Sequence, residues 1–314
     1  MNGTRDRRRR TVRSVVGVVL AVLAAVLVVR PSLIVDRLPG REAKAAGAPS
    51  PLPAETALPS QGPGGVYDTQ TPTPEHPFLG SPARRWADGA DAIELPPAKA
   101  VGTMSKADVA LALRRTKEFL VATNLDPKVL LGGTPSRALS LVDPHQPGMI
   151  AEFGRSLREP SAKHDPLKLV SRFDPHEVRL AGKVIKVRGH MTFKAGKPGE
   201  VLVHADYSFV YPLLHAGPHG DRQVARTIIR RDLITSLADP RTWMATKGKL
   251  ALSEYGEDIA NSTCGVHDGY LHPDFPDSAP TGAPPTGSAE DPYDRSQSLK
   301  DDDRDVGCGT VTRT

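Results

Sequence analysis

The sequence has few of the residues and none of the short motifs from which a chemical activity is usually inferred. Only two of its 314 residues are cysteine and 5% are aromatic, which excludes a cysteine-rich zinc fold and a disulfide-dense scaffold. It has no Gly-x-Ser-x-Gly elbow, no His-Glu-x-x-His motif, no phosphate-binding loop and no Ser-His-Gly-Cys transpeptidase motif. We therefore predict no cofactor, and the sequence favours a protein without catalytic activity.

The chain also lacks an excess of positive charge once its N-terminus is set aside. Six of the first thirteen residues are arginine and one is aspartate, which equals the whole net charge of +5. Residues 101–250 contain 24 basic against 14 acidic residues, whereas 265–314 contain four against ten. This pattern predicts a basic domain followed by an acidic tail. An envelope protein or an anionic envelope polymer is the expected partner, and nucleic acid is not expected.

Long apolar runs are scarce, and the longest one follows the arginine cluster. SVVGVVLAVLAAVLVV (14–29) carries no charge, and the PSLIV that follows extends it toward the roughly 20 residues that span a bilayer. We predict a cytoplasmic basic segment (1–13), a transmembrane signal anchor (14–35) and an extracytoplasmic chain beyond it. A signal peptide cleaved after Ala43-Lys44-Ala45 is the alternative.

Proline composition divides the rest of the chain. Twelve prolines lie between Pro39 and Pro97 without helical or strand periodicity, which predicts an extended linker over 36–100. The stretch RRWADGADAIELPP within it leaves a docked strand open as an alternative. An α+β extracytoplasmic domain is expected over 101–263, and a proline-rich, acidic, disulfide-tethered tail over 264–314.

Periodicity within the domain changes from helical to strand-like. Ser105 and Asp108 form a capping-box pattern before a helix expected over 106–123. Three shorter helices are predicted at 126–131, 135–141 and 147–157. Alternating apolar residues then predict strands over 184–194, 201–211 and 223–235. Together they indicate an α+β domain in which N-terminal helices pack on a curved antiparallel sheet.

This order of elements resembles the NTF2-like or cystatin-like class of helix-on-sheet domains. The resemblance covers about residues 101–255, includes no diagnostic motif, and implies a small accessory domain of an exported protein. Such folds include both enzymes and binding proteins, so it implies no particular reaction. The composition is similar in style to that of exported single-pass membrane proteins of high-GC bacteria.

Three interpretations are open for the stretch CGVHDGYLHPDF (264–275). A disulfide between Cys264 and Cys308 fits two cysteines in an exported chain, and it would attach the tail to the domain. Cys264, His267 and His272 could instead ligate zinc, although Pro273 argues against presenting both histidines on one helix face. Alternatively, Cys264 could act as a thiolate nucleophile with His190 or His204 as its base.

A second candidate site is the polar face of the predicted strands. A histidine and aspartate pair on a concave sheet surface could perform acid–base chemistry or bind an anion. The alternative is a polar face that simply contacts water. The residues in this predicted ligand face are His190, His204, Asp206, Arg226 and Arg230.

From these features we expect a membrane-anchored extracytoplasmic accessory or binding module of the cell envelope. The alternative is an exported hydrolase or metal-binding protein, which would use either the Cys264, His267 and His272 set or the His190, His204 and Asp206 face.

Overall fold

A computed structural model describes residues 71–217, 223–276, 289–296, 298–299 and 308–314. The predicted cytoplasmic segment, the predicted anchor and the first half of the predicted linker lie outside these residues. Within the described ranges, no helix is both long enough and apolar enough to cross a membrane.

Among the residues described, four α-helices precede most of the sheet. α1 (Lys106–Asn124) begins at Ser105, whose hydroxyl accepts a hydrogen bond from the Asp108 N–H while the Asp108 carboxylate accepts one from the Ser105 N–H. The shorter helices are α2 (Pro127–Leu130), α3 (Ser136–Leu141) and α4 (Pro147–Arg158). All four confirm the predicted helices.

The six strands form one antiparallel sheet, so the predicted α+β class is confirmed. The strands are β1 (Ala87–Asp88), β2 (Val178–Leu180), β3 (Lys186–Ala195), β4 (Glu200–His215), β5 (Ala225–Ala238) and β6 (Ala251–Ala260). Their order is β1-β3-β4-β5-β6, and β2 pairs with the end of β4. The sequence predicted β3, β4 and β5 but neither β2 nor β6.

The main core lies between α1 and one face of this sheet, which we call the inner face. Alternate residues of β4, among them Val203, Tyr207 and Tyr211, are buried there. Gly189 lies opposite Tyr207 in the register, and a Cβ at Gly189 would lie 2.2 Å from the Asp206 carbonyl oxygen and 2.4 Å from the Tyr207 ring. Only glycine therefore allows β3 and β4 to approach at this point.

A buried arginine on the inner face joins the helix, the sheet and the loop before β2. Arg231 donates hydrogen bonds to Asn124 Oδ1 (3.1 Å), to the carbonyl of Val170 (2.9 Å) and to the carbonyl of Leu167. The Ser171 hydroxyl donates to the same Asn124 oxygen at 2.8 Å. No periodicity in the sequence indicated this polar network inside the apolar core.

The structure corrects the predicted linker over its second half. Residues 71–92 are here called the N-terminal strap. They contain two short 3-10 turns and β1, which pairs with β3. The strap packs on the side of the sheet opposite the inner face, which we call the outer face. Phe78, Ala83 and Trp86 of this strap are buried against Val210 and other residues of the outer face. A few apolar residues are enough to dock this proline-rich segment, although its sequence has no regular period. Of the two possibilities for RRWADGADAIELPP, the docked strand is the one observed.

The predicted tail also contributes to the outer face. Residues 289–296 and 308–314, here called the C-terminal strap, place Tyr293 against Trp86 with ring centroids 5.6 Å apart. The Tyr293 hydroxyl forms a 2.7 Å hydrogen bond with Ser81. Cys264 and Cys308 form the predicted disulfide. The described parts of the tail are therefore packed on the domain and not merely tethered to it.

Candidate functional site

The five residues of the predicted ligand face do share one face of the sheet, namely the outer face. His190 lies opposite Asp206 in the β3–β4 register. In the β4–β5 register, Arg230 lies opposite Ser208 and Arg226 opposite Pro212. Directly opposite residues project to the same side of a sheet, which places the five residues on one side.

Asp206 is the centre of a buried charge cluster on this face. Arg230 donates two hydrogen bonds to it, of 2.9 Å to Oδ1 and 2.8 Å to Oδ2, and Arg295 of the C-terminal strap lies 2.8 Å from Asp206 Oδ1. Burial alone would raise the pKa of Asp206, but the Arg230 hydrogen bonds and the charges of Arg295 and Arg230 hold the pKa below its usual value. The carboxylate therefore stays ionised and is used for internal pairing.

The two histidines of the face have different surroundings. His204 Nε2 lies 2.8 Å from Asp232 Oδ2, and the His204 side chain is 39% exposed. Burial lowers the pKa of His190, and the positive charges of Arg295 and Arg230 lower it further against the opposing effect of Asp206. His190 is therefore a neutral imidazole at neutral pH.

The predicted concave surface is largely covered, which corrects the expectation of an open ligand face. The guanidinium of Arg226 donates to the carbonyls of Pro77 (3.2 Å) and Leu79 (2.8 Å) in the N-terminal strap and to that of Thr314 (2.5 Å) in the C-terminal strap. Arg226 and Arg230 are buried. The hydrogen bonds of Arg226 therefore join both straps to the sheet, and those of Arg230 bind Asp206.

The geometry of the exposed part does not assemble a hydrolytic site. His204 has a carboxylate to orient its ring, as a general base requires. Within the part of the chain that the structure describes, however, no hydroxyl or thiol is hydrogen-bonded to His204.

The geometry does not support a zinc site or a thiolate nucleophile in the stretch 264–275. The sulfur of Cys264 is bonded to Cys308, so it is not a thiolate. His267 lies 3.4 Å from Asp165, whereas His272 lies between Glu177 (2.8 Å) and Asp268 (3.0 Å). Among the described residues, no group of three or more histidine, cysteine or carboxylate side chains is arranged to hold a metal ion.

His272 instead gives the stretch a pH-dependent link to the domain. Burial alone would lower the pKa of His272, but hydrogen bonds to Asp268 and Glu177, together with their charges, raise it above its ordinary value of 6.5. The protonated imidazole bridges Glu177, which immediately precedes β2, and Asp268 within the stretch 264–275.

We therefore expect the bridge at His272 to stabilise the folded protein at low pH and to lose this effect as pH rises. A folded pKa above the unfolded value means that the contribution is complete below about pH 6.5 and disappears as pH rises through the raised pKa. The difference in melting temperature between wild type and His272→Gln should shrink across this window. The matched variant His176→Gln, at an exposed position, should show no such trend, and a constant difference for His272→Gln would contradict the expectation.

A well-formed opening lies elsewhere, at the edge of the N-terminal strap. This binding groove has a volume of about 890 Å³ and runs between the strap and the loop that joins β2 to β3. The sequence did not predict it, because it forms only when the segment assigned to the linker folds onto the sheet. Its lining comprises residues 74–79, Arg84, Asp88, residues 181–184 and Lys186.

The walls of the groove combine apolar surface with basic side chains. Lys186 pairs with Asp88 at 2.6 Å and donates to the Trp86 carbonyl at 2.9 Å, so its charge is balanced. Arg84 and Lys183, by contrast, are exposed. Val184 is 39% exposed beside them. The exposed carboxylates Glu75 and Asp88 belong to the same lining, and Asp88 is the partner of Lys186. The exposed Arg84 and Lys183 beside the apolar wall suit a ligand that carries both anionic groups and carbon-rich segments.

Comparisons with protein-family models, with curated proteins and with solved structures find no match to this chain.

Proposed function

We propose that the protein is a non-enzymatic binding module of the cell envelope and that its binding groove holds a segment of an anionic envelope polymer. The observation that carries the proposal is the groove itself, with Arg84 and Lys183 exposed at its rim. A polymer with phosphate or carboxylate groups would place negative charge against these cations and its backbone against Val184 and the Phe78 region.

The proposed location rests on the N-terminal sequence. Residues 14–35 would anchor the chain in the membrane with 1–13 in the cytoplasm, and residues 36–70 would be the remaining linker. The Cys264–Cys308 disulfide supports an oxidising, extracytoplasmic compartment. Within this proposal, the helices on an antiparallel sheet are assigned to the NTF2-like or cystatin-like class on element order alone.

Binding to the groove should depend on its two exposed cations. We expect the full chain to bind fluorescently labelled polyglycerol phosphate, and the double variant Arg84→Gln/Lys183→Gln to bind it about tenfold more weakly, since each exposed charge contact contributes up to about 1 kcal/mol. The dissociation constant can be measured by fluorescence anisotropy at several salt concentrations, and affinity should fall as salt rises.

Two controls make this experiment specific. Arg114→Gln/Lys128→Gln removes the same charge from exposed positions on the helical side, and it should leave binding near the wild-type value. Labelled neutral polyglycerol should bind much more weakly than the phosphate polymer. Equal affinity for both polymers, or an Arg84→Gln/Lys183→Gln variant that binds like wild type, would overturn the proposed function.

A further inference from the structure

The loop between β5 and β6 displays the most exposed large apolar side chain among the described residues. Met244 is 84% exposed, and the neighbouring Trp243 is 38% exposed. The residues from Pro240 to Met244 form a continuous exposed run. We call residues 239–249 the Trp243 loop. Trp86, which is the other tryptophan of the chain, is by contrast buried beneath the straps.

The Trp243 loop is held in a defined conformation and is not a loose tip. The indole N–H of Trp243 donates to the Pro198 carbonyl at 2.8 Å in the turn between β3 and β4. The Asp239 N–H donates to the Gly199 carbonyl at 2.8 Å. At the other end of the loop, the Thr246 N–H donates to the Asp143 carboxylate at 2.8 Å. The apolar pair is therefore displayed outward by contacts that cover the base of the loop.

Basic side chains lie beside Trp243 and in the rest of the loop. Lys197 Nζ lies 5.6 Å from the Trp243 ring centroid, and Lys247 of the loop is exposed. Lys249 also belongs to the loop, but its ammonium group donates to the Ser140 carbonyl. The only acidic residue of the loop, Asp239, is bound by Arg241 at 2.7 Å. An exposed tryptophan and methionine with exposed lysines near them is a composition that suits a membrane surface with anionic lipid headgroups.

We infer that the Trp243 loop docks on an anionic phospholipid surface. Trp243 and Met244 enter the headgroup region, where an amphipathic indole ring is favoured. Lys247 and Lys197, which are both exposed, face the negative charges of the lipid. This contact is independent of the binding groove, because Lys186 at the groove begins β3 whereas Ala195 beside the loop ends it. Ten residues of strand separate the two by roughly 30 Å.

Quenching of Trp243 by brominated lipid tests the contact directly. The full chain is reconstituted into vesicles of brominated phosphatidylcholine, either alone or mixed with an equal amount of phosphatidylglycerol, and tryptophan fluorescence is recorded. We expect strong quenching only in the mixed vesicles, reduced by added salt. The Trp243→Phe variant reports the quenching of Trp86 alone. The difference in quenching between wild type and this variant therefore belongs to Trp243. Lys247→Gln and Lys197→Gln should each lower the equilibrium constant for contact about fivefold.

Control variants separate docking from a general effect of charge or exposed apolar surface. Met244→Ser should reduce quenching, whereas Leu131→Ser, at another exposed apolar position, should not. The groove variant Arg84→Gln/Lys183→Gln should also quench like wild type, which keeps the two proposals distinguishable. Absence of Trp243 quenching in the mixed vesicles, or equal quenching in both vesicle types, would overturn the inference.

Discussion

Replacing Arg231 with methionine is expected to lower the free energy of unfolding by about 3–5 kcal/mol. The side chain is fully enclosed, and its three nitrogens donate to the carbonyls of Leu167 and Val170, to Asn124 Oδ1 and to Ser171 Oγ. Methionine fills a similar volume but donates no hydrogen bond, so buried acceptors lose their partners. The loss in unfolding free energy then comes from buried oxygens that have neither water nor a hydrogen-bond donor, and not from a cavity.

The same substitution should loosen one particular loop before the sheet unfolds. Residues 165–171 contribute three of the acceptors that Arg231 binds. Their connection to α1 runs through hydrogen bonds of Ser171 to Asn124 and Thr123. Hydrogen exchange measured by mass spectrometry should therefore rise most over this loop in Arg231→Met. Chemical denaturation gives the change in unfolding free energy for the same protein.

A matched variant tests whether burial and hydrogen bonding, and not the loss of an arginine, cause the effect. Arg114 is exposed on α1, and Arg114→Met should change the unfolding free energy by no more than about 0.5 kcal/mol. If Arg231→Met proved as stable as Arg114→Met, the proposed role of the buried guanidinium would be wrong.

Helices and central strands were predictable because their burial repeats along the sequence. Val109, Leu113 and Leu120 share one helical stripe and are all buried, and the Ser105–Asp108 capping box marks the start of α1. In β3, Val187 and Met191 alternate with polar residues and are buried on the inner face. When an element is buried on one side, its apolar residues recur at a fixed spacing, and this spacing can be recognised in the sequence.

β6 was missed because its two faces do not differ clearly in polarity. Its sequence, ALSEYGEDIA, includes three carboxylates and places Tyr255 in a 37% exposed position at the edge of the sheet. Glu257 lies opposite Arg231 in the register, so the inward-facing residue at this point is charged. An edge strand that pairs with a charged neighbour has no alternation of apolar residues to detect.

The outer face shows the limit of sequence reasoning about the site. Alternation correctly placed His190, His204 and Asp206 on one face. It could not identify their partners, because Arg295 lies 89 residues from the Asp206 carbonyl to which it also donates. The binding groove was missed for a related reason: the strap that forms its wall has linker-like composition and docks through a few residues such as Trp86. Contacts between distant, irregular segments leave no local pattern.

Replacing Asp206 with alanine is expected to destabilise the protein by about 3–5 kcal/mol, because it leaves buried positive charge without its counterion. The side chains of Arg230 and Arg295 that pair with Asp206 are only 7% and 10% exposed. In addition, Arg295 ties the C-terminal strap to the sheet through Ser208 Oγ (2.6 Å) and the Asp206 carbonyl (2.9 Å). Urea denaturation followed by circular dichroism would measure the loss.

Two further variants separate uncompensated charge from lost packing at Asp206. Asp239→Ala removes a carboxylate from the side chain of Arg241, which is 88% exposed, so water solvates the remaining charge and the loss should be much smaller than for Asp206→Ala. The double variant Asp206→Leu/Arg230→Met removes one cation together with the anion and fills their volume, so it should be more stable than Asp206→Ala. If the double variant were the less stable of the two, packing or hydrogen bonding by Arg230 itself, and not the balance of buried charge, would account for the stabilisation at this face.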